Sequence, residues 1–194
     1  QMLKEIYAPP ICLYIKGNLQ LLKMQNISLI GCRKCSQYGK KTAYYFSYNL
    51  SKAGFNIVSG LARGIDSYSH IGCLAAKGKT IAVMGSGLDN IYPKENEQLV
   101  NEIIKQNGAI ITQYPLGTKP EKNNFPARNR IISGLSKAVL VIEARAKSGT
   151  LITVDFALEQ GKDVFAVPGN INSANSVGTN ELIKQGAIPV CNYK

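Results

Sequence analysis

The sequence predicts an α/β protein whose doubly wound, mostly parallel sheet is covered by helices on both faces. Three observations lead to this prediction. Short, continuous apolar runs are spaced along the chain, as in strands that are buried on both sides. Segments with a helical period of 3.6 residues lie between those runs, so that strand and helix alternate. Glycines follow several of the helical segments, where a left-handed residue commonly ends a helix.

The strands are predicted from apolar runs of four or five residues. They are expected at 27–30, 55–58, 80–84, 109–112, 138–142, 163–167 and 188–191. The first run stops at Gly31, the third leads into Gly85-Ser86-Gly87, and the fifth is the most apolar of the set. Short apolar runs bounded by glycine are typical of strands rather than of long buried helices.

The helices are predicted between those strands. They are expected at 36–53, 65–77, 95–106, 129–136 and 148–160, with one more helical turn near 180–185. Gly54 and Gly78 mark the ends of the first two, and Ser148 marks the start of the fifth. A loop at 113–127 contains three prolines, and a loop that long in a compact domain is usually functional.

The chain divides into an N-terminal segment and a core. Residues 1–26 fit the alternation poorly and are expected to be an edge segment or a linker from a preceding domain, and residues 27–194 form the core. The unusual start at Gln1-Met2 suggests a piece of a longer chain. No apolar run reaches the ~20 residues that cross a bilayer, so a cytoplasmic protein is expected.

The charge of the chain indicates either a polyanionic ligand or a solvated lysine surface. Lys and Arg number 23 against 12 Asp and Glu, a net charge of +11. An excess of this size raises the encounter rate with polyanions such as nucleic acids. Composition alone does not separate the two interpretations.

Residues for metal or acid–base chemistry are sparse. Cys32 and Cys35 form a lone CxxC among five cysteines, and His70 is the only histidine, so a four-ligand zinc site is not expected. The cysteines are interpreted as reduced cytosolic thiols. No Walker A lysine pattern is present, and Asn90 stands where a dinucleotide fingerprint needs its third glycine. We therefore predict neither a cofactor nor an enzyme.

Four small-residue turns predict a phosphate site. They contain Gly31 to Arg33, Ser59 to Gly64, Gly85 to Gly87, and Ser148 to Thr150. Each leads toward a helix N-terminus, where free N–H groups favour an anion, at the sheet edge where such folds bind ligands. Arginine, which grips phosphate bidentately, occurs on or near several of them.

Phe125 adds an aromatic ring to this basic region. It lies between Lys119 and Lys122 on one side and Arg128 and Arg130 on the other. An aromatic among cations is suited to stacking a base beside a phosphate track. The alternative, that Phe125 anchors the loop to the core, remains equally open at this point.

Taken together, the motifs resemble the DNA-processing protein A family (DprA, also called Smf). The matching strings are Gly31-Cys-Arg33, Ser59-Gly-Leu-Ala-Arg-Gly-Ile-Asp66 with His70, Gly85-Ser-Gly-Leu-Asp89 with Tyr92-Pro93 and Glu95-Asn96, Phe125-Pro-Ala-Arg-Asn-Arg130, Lys147-Ser-Gly-Thr-Leu-Ile-Thr153, Val167-Pro-Gly169 and Gly178-Thr-Asn180. They occur in family order from about Pro9 to Ala187, and their combination is highly specific.

The resemblance implies an extended Rossmann-like core that binds single-stranded DNA in a basic pocket without catalysis. It also implies a homodimer and delivery of the recombinase RecA onto incoming strands during natural transformation, that is, in competence and DNA recombination. The implied DNA-binding residues are Arg33, Ser59, Gly60, Arg63, Lys122, Phe125, Arg128, Arg130, Lys147, Ser148 and Gly149. The implied dimer contact includes Asn180, Leu182, Ile183 and Pro189.

One departure and one rival interpretation accompany the resemblance. Cys32 stands where the family usually has Ser or Thr, and a thiol is the weaker hydrogen-bond donor. The rival is a nucleotide-binding enzyme or sensor similar to the lysine-decarboxylase-like (LOG) phosphoribohydrolases. Their glycine-rich motif and nearby glutamate have no match at Lys147 to Thr150.

Overall fold

The computed structural model describes residues 2–193, with Met2 described by its backbone alone. The strands are β1 (Tyr14–Gly17), β2 (Asn26–Gly31), β3 (Asn56–Ser59), β4 (Thr80–Val83), β5 (Ala109–Thr112), β6 (Ala138–Glu143), β7 (Asp163–Ala166) and β8 (Ile188–Pro189). The α-helices are α1 (Gln37–Lys52), α2 (Ile65–Ala75), α3 (Glu97–Lys105), α4 (Asn124–Gly134), α5 (Gly149–Glu159) and α6 (Val177–Lys184).

All eight of these strands form one sheet in the order β1-β5-β4-β3-β2-β6-β7-β8. Every pairing is parallel except that of β1 with β5. The stretch from β4 to β8 reproduces the 3-2-1-4-5-6 order of doubly wound nucleotide-binding sheets, which β5 and β1 extend. Strands β3, β4 and β5 are added on one side of β2, whereas β6, β7 and β8 are added on the other side. The topological switch point therefore lies between β2 and β6. The predicted fold class is confirmed.

Helices cover both faces of the sheet. Apolar side chains of α1, α2 and α3 pack on one face, against residues such as Ile57 and Ile110. Side chains of α4, α5 and α6 pack on the other, against residues such as Val58 and Val141. Strands β3, β4, β5 and β6 are buried throughout, as their continuous apolar runs predict.

Helix α4 starts five residues earlier than predicted, at Asn124 rather than at 129. Pro126 argues against a helix at this position in the sequence. In the first turn, however, a proline is tolerated, because the N–H that it lacks would have no intrahelical partner. Phe125 consequently lies in the first turn of a helix and not in the long loop. Helix α6 likewise starts before its predicted position, at Val177.

The N-terminal segment forms an edge of the sheet. β1 pairs antiparallel with β5, and Leu21 is buried in the core cluster to which α4 and α5 also contribute. At the opposite edge, β8 comprises two residues where four were expected. Pro189 cannot donate a ladder hydrogen bond, which suits an edge strand. Within residues 2–193, none of the helices combines the length and apolarity needed to cross a membrane.

Candidate nucleic-acid interface

A cavity of about 660 Å³ opens at the carboxyl edge of the sheet, at the point where the topology reverses between β2 and β6. Three of the four predicted phosphate turns contribute to it. Its lining comprises Ile30, Gly31, Cys32, Arg33, Lys34, Ala62, Asp66, Tyr92, Pro120, Lys122, Phe125, Pro126, Arg128, Asn129, Ile132, Arg145, Ser148, Gly149, Thr150, Ile152 and Thr153. This is the position where open α/β sheets bind their ligands. We call this cavity the switch-point pocket.

Exposed cations surround the switch-point pocket. Arg33 and Lys34 follow β2, Lys122 precedes α4, and Arg145 follows β6, and all four side chains are exposed. The one carboxylate in the lining, Asp66, is buried. The solvent-facing charge of the pocket is therefore positive, as binding of a polyanion requires.

The ring of Phe125 is half-buried and in contact with cations. The guanidinium carbon of Arg33 lies 5.2 Å from the ring centroid, and that of Arg128 lies 5.9 Å away. Tyr92 packs against the same ring with a centroid separation of 5.5 Å. Gly85 keeps the ring close to the sheet, because a Cβ there would come within 2.9 Å of it. Phe125 is thus held in place while still lining the pocket.

Arg128 forms the floor of the pocket. Its side chain is 3% exposed and donates to the backbone oxygen of Gly60 at 2.8 Å and to that of Val83. Burial lowers the pKa of Arg128 to about 10, which leaves it charged at neutral pH. Its hydrogen bonds tie the turn after β3 to the end of β4.

Asp66 is the buried counterpart of Arg128. Burial raises the pKa of this carboxyl group, and the nearby Arg128 charge opposes that shift. One carboxyl oxygen accepts from the amides of Gly60 at 3.2 Å and Ala62 at 3.3 Å. The pair therefore fixes the backbone of the Ser59 to Gly64 turn from beneath.

The start of α5 offers free donors to the pocket. The hydroxyl oxygen of Ser148 is buried but has no hydrogen-bond partner, and Ser148 makes no side-chain cap to the helix. Gly149 has open space where a Cβ would stand, so a ligand can approach its backbone. An unpaired hydroxyl beside unpaired helix N–H groups is a favourable arrangement for a phosphate.

Six of the eleven predicted DNA-binding residues line the switch-point pocket, and five do not. The six are Arg33, Lys122, Phe125, Arg128, Ser148 and Gly149. Outside the lining, the buried hydroxyl of Ser59 donates to Leu29 O at 2.7 Å, and Gly60 lies within the turn with its amide bonded to Asp66. Lys147 is exposed next to the lining.

Two predicted arginines have other partners. Arg63 is paired with Glu95, to which its Nε donates at 2.8 Å, and both side chains are more than half exposed. Arg130 donates to Ala8 O at 2.8 Å and also to the Gln113 side chain. Neither is part of the pocket lining.

Sequence reasoning missed Lys34, Tyr92, Asn129 and Arg145 as lining residues. Lys34 could have been found because it adjoins Arg33 on the same exposed turn. Arg145 and Lys147 precede the same helix, and only the structure shows that Arg145 faces the pocket. Tyr92 enters from a loop that is distant in sequence, which no local pattern indicates.

The CxxC turn is a structural element. Cys32 is 6% exposed, and burial raises the pKa of its thiol and of the Cys35 thiol, with Glu143 adding to both shifts. Glu143 is itself buried and accepts from the amide and hydroxyl of Ser36, the residue that caps α1. Raised thiol pKa values make both cysteines weak nucleophiles at neutral pH.

His70 lies away from the pocket lining. It is fully buried in α2, and its Nδ1 lies 2.7 Å from the Thr80 hydroxyl oxygen. Burial lowers the pKa of His70 to about 3, so the ring is neutral at physiological pH. Among residues 2–193, no three His, Cys, Asp or Glu side chains cluster closely enough to bind a metal ion.

The predicted dimer-contact residues have different environments. Leu182 is buried in the core, Ile183 packs against that core, and the Asn180 side chain bonds both backbone groups of Gly169 at 3.1 and 3.0 Å. Pro189 is exposed on the edge strand β8. Exposed apolar side chains nearby are Ile171, Val177 and Ile188.

The fold and the pocket define a Rossmann-like α/β protein with a basic ligand site at the switch point of its sheet. The family described as DNA recombination-mediator protein A matches residues 1–194, and the chain belongs to this family. Its sequence is 46% identical over 186 residues to the DNA processing protein DprA of Bacillus subtilis, covering 95% of this chain and 62% of that protein. The chain therefore spans less than two thirds of that relative's length.

Two solved structures are similar over nearly the whole chain. The X-ray structure of DprA from Streptococcus pneumoniae superposes with a TM-score of 0.94 at 45% identity, covering 99% of this chain and 67% of that one. The DprA of Helicobacter pylori, described for its single-stranded DNA binding mode, gives a TM-score of 0.92 at 33% identity, covering 100% and 88% of the two chains.

Proposed function

We propose that the switch-point pocket binds single-stranded DNA and carries out no catalysis. The observation that carries this proposal is the convergence of four exposed cations, one positioned aromatic ring and an unpaired serine hydroxyl on one cavity. Cations bind the phosphates, and an aromatic ring stacks any base without reading sequence. The Helicobacter pylori relative, described as binding single-stranded DNA, supports the same ligand here.

Binding a base on Phe125 requires Arg33 to move. Arg33 lies over the ring and is exposed, whereas Arg128 is fixed by two backbone carbonyls. A base that displaces the Arg33 guanidinium gains the ring face, and the freed guanidinium can then grip an adjacent phosphate. A base paired in a duplex has no free face to offer, so single strands are preferred.

We further propose that the protein acts as a cytoplasmic homodimer that protects incoming strands and helps load RecA during natural transformation. Membership of the recombination-mediator family supports this role. The exposed apolar side chains Val177, Ile188 and Pro189 around α6 and β8 are the proposed dimer surface. Cytoplasmic location is part of the proposal, and a reducing compartment would keep the five free cysteines as thiols.

The absence of catalysis is proposed from the environment of the ionisable groups. His70 is buried and neutral, Glu143 accepts hydrogen bonds from the α1 cap residue Ser36, and Asp66 accepts from backbone amides. His70 and Glu143 lie outside the pocket lining, and Asp66, which is part of it, is held by the amides of Gly60 and Ala62. Release of free base from a nucleoside monophosphate would contradict this proposal and favour the LOG-type alternative.

The test is fluorescence anisotropy of labelled oligo-dT and of a duplex of equal length, with Phe125→Ala, Phe125→Tyr and Tyr7→Ala. Stacking contributes ~1–3 kcal/mol per base, so Phe125→Ala should weaken single-strand binding at least about fivefold. Phe125→Tyr, which keeps a ring, and Tyr7→Ala, an exposed tyrosine outside the pocket, should bind normally. Equal affinity for duplex and single strand would overturn the proposal.

A further inference from the structure

The solvent-facing side of helix α1 combines tyrosine and lysine without any carboxylate. Four of the ten tyrosines of the chain lie on this helix, and its sequence contains no Asp or Glu. The residues are Tyr38, Lys40, Lys41, Tyr44, Tyr45, Tyr48 and Lys52. The opposite side of α1 packs in the core through Ala43 and Phe46, so these rings and lysines are not part of the core packing.

A second cavity, of about 370 Å³, lies between α1 and the segments that follow β7 and β8. Its lining includes Tyr38, Lys41 and Tyr45 from α1, Pro168 after β7, and Cys191 after β8. Neither Asp nor Glu contributes to it. We call this cavity the α1 groove.

The two tyrosines of the α1 groove are held in fixed orientations but remain accessible. The hydroxyl of Tyr38 donates to Pro168 O at 3.2 Å, and the Tyr45 ring meets the Tyr193 ring edge-on at 6.0 Å. The exposed fractions of Tyr38 and Tyr45 are 51% and 41%. Rings that are both oriented and exposed lose little entropy when a planar ligand stacks on them.

The α1 groove continues the switch-point pocket along the same edge of the sheet. The pocket lies at the carboxyl ends of β2 and β6, and the groove lies at those of β7 and β8, the next strands in the order. Helix α1 starts at Gln37, three residues after Lys34, and both Arg33 and Lys34 line the pocket. Tyr38 and Tyr45 are about 10 Å apart along the helix axis, or about three steps of a stacked strand.

We propose that the α1 groove is a second contact site for single-stranded DNA, which takes the nucleotides that leave the switch-point pocket past Lys34. Tyr38 and Tyr45 stack bases, and Lys41 contacts the backbone. The proposal rests on the proposed function of the pocket and extends it. The positive charge of Lys41 favours this ligand over a neutral protein segment, and the exposed rings, on which unpaired bases stack, favour it over an acidic one.

The experiment compares a short oligo-dT of about 6 nucleotides, which fits the pocket alone, with a long one of about 20 nucleotides. Anisotropy is measured for the Tyr38→Ala/Tyr45→Ala double variant, for Lys41→Ala, and for the ring-keeping Tyr38→Phe/Tyr45→Phe variant. The Ala double variant should bind the long oligonucleotide at least about fivefold more weakly and the short one with unchanged affinity. The Phe variant should bind both normally.

Two controls keep the outcomes distinct. Lys41→Ala should weaken binding of the long oligonucleotide. Lys105→Ala removes an exposed lysine on α3, outside the groove lining, and should leave that affinity unchanged. Thermal unfolding checks that each variant is folded. If the short oligonucleotide binds in an Arg33-dependent way and the long one gains nothing from α1, this inference is wrong and the pocket proposal stands. If neither oligonucleotide binds, the pocket proposal itself fails.

Discussion

Replacing Lys122 with alanine should lower the salt dependence of DNA binding by about one phosphate contact. Among the five cations that line the pocket, Arg33, Lys34, Lys122 and Arg145 are exposed, whereas Arg128 is buried and bonded to backbone carbonyls. Each phosphate neutralised on a single strand contributes about −0.7 to the slope of log K against log salt. Four exposed cations therefore predict a slope of about −3, and the variant a slope of about −2.

The same change predicts an affinity loss. A slope reduced by ~0.7 corresponds to about fourfold weaker binding at 0.15 M salt, relative to 1 M salt where the electrostatic contribution vanishes. Lys122→Ala should therefore bind more weakly at low salt and converge with the unmodified protein at high salt. Anisotropy of a short labelled oligo-dT, which engages the pocket alone, measures both quantities across a salt series.

Arg63→Ala provides the matched control. It removes the same unit of charge from an exposed side chain, but Arg63 is paired with Glu95 and lies outside the pocket lining. Its slope should remain near that of the unmodified protein. If Arg63→Ala and Lys122→Ala lower the slope equally, binding depends on the overall charge of +11 and not on the pocket, and the reasoning is refuted.

Three further predictions concern stability and the start of α5. Because the pKa of buried His70 is about 3 and its unfolded value is near 6.5, the unfolded state gains the proton first as pH falls. The free energy of unfolding in urea should decrease by about 2 kcal/mol from pH 6.5 to pH 5, and His70→Gln should abolish this decrease. Gly64→Ala places a Cβ against the carbonyl oxygens of Cys32 and Arg33 at a φ of +78°, and should lower the urea midpoint by the equivalent of about 2–4 kcal/mol. Gly161→Ala, at a φ of +64° with open space around the added Cβ, should lower the free energy of unfolding by only about 1 kcal/mol. Equal losses for the two variants would show that the steric clash at Gly64 does not contribute. Ser148→Ala should leave the thermal midpoint unchanged and weaken oligo-dT binding about twofold to tenfold in anisotropy, and unchanged binding would show that its hydroxyl meets no phosphate.

The fold could be predicted from the sequence because its signals are local. Strands such as β6 are continuous apolar runs, and helices such as α1 show their cap at Ser36 and their end before Gly54. The start of α4 was missed because Pro126 and its polar neighbours give little helical pattern. The short strand β8 was overestimated, since the extent of an edge strand depends on its single neighbour and not on its own composition.

The pocket could be predicted only in part, because arginines that look alike in sequence have different roles in the structure. Arg33 is exposed over Phe125, Arg128 is buried under the turn after β3, Arg63 is paired with Glu95, and Arg130 binds the N-terminal segment through Ala8. These partners lie between 32 and 122 positions away along the chain, from Glu95 for Arg63 to Ala8 for Arg130. No local pattern contains that information.

The separation between buried and exposed cations also explains how the protein can stay folded without a ligand despite the positive charge of the pocket. Arg128 donates hydrogen bonds to two carbonyl oxygens and lies near the Asp66 carboxyl group, whose charge outweighs the repulsion from Arg33. Arg33 and Lys122 remain in solvent, where water screens their mutual repulsion until a phosphate replaces it. Truncating Arg128 should therefore destabilise the fold before it affects the salt slope, whereas truncating Arg33 or Lys122 should change binding at nearly constant stability. We therefore expect the positions that organise the site to be distinct from those that would bind a strand, with only the second group free to move when DNA enters.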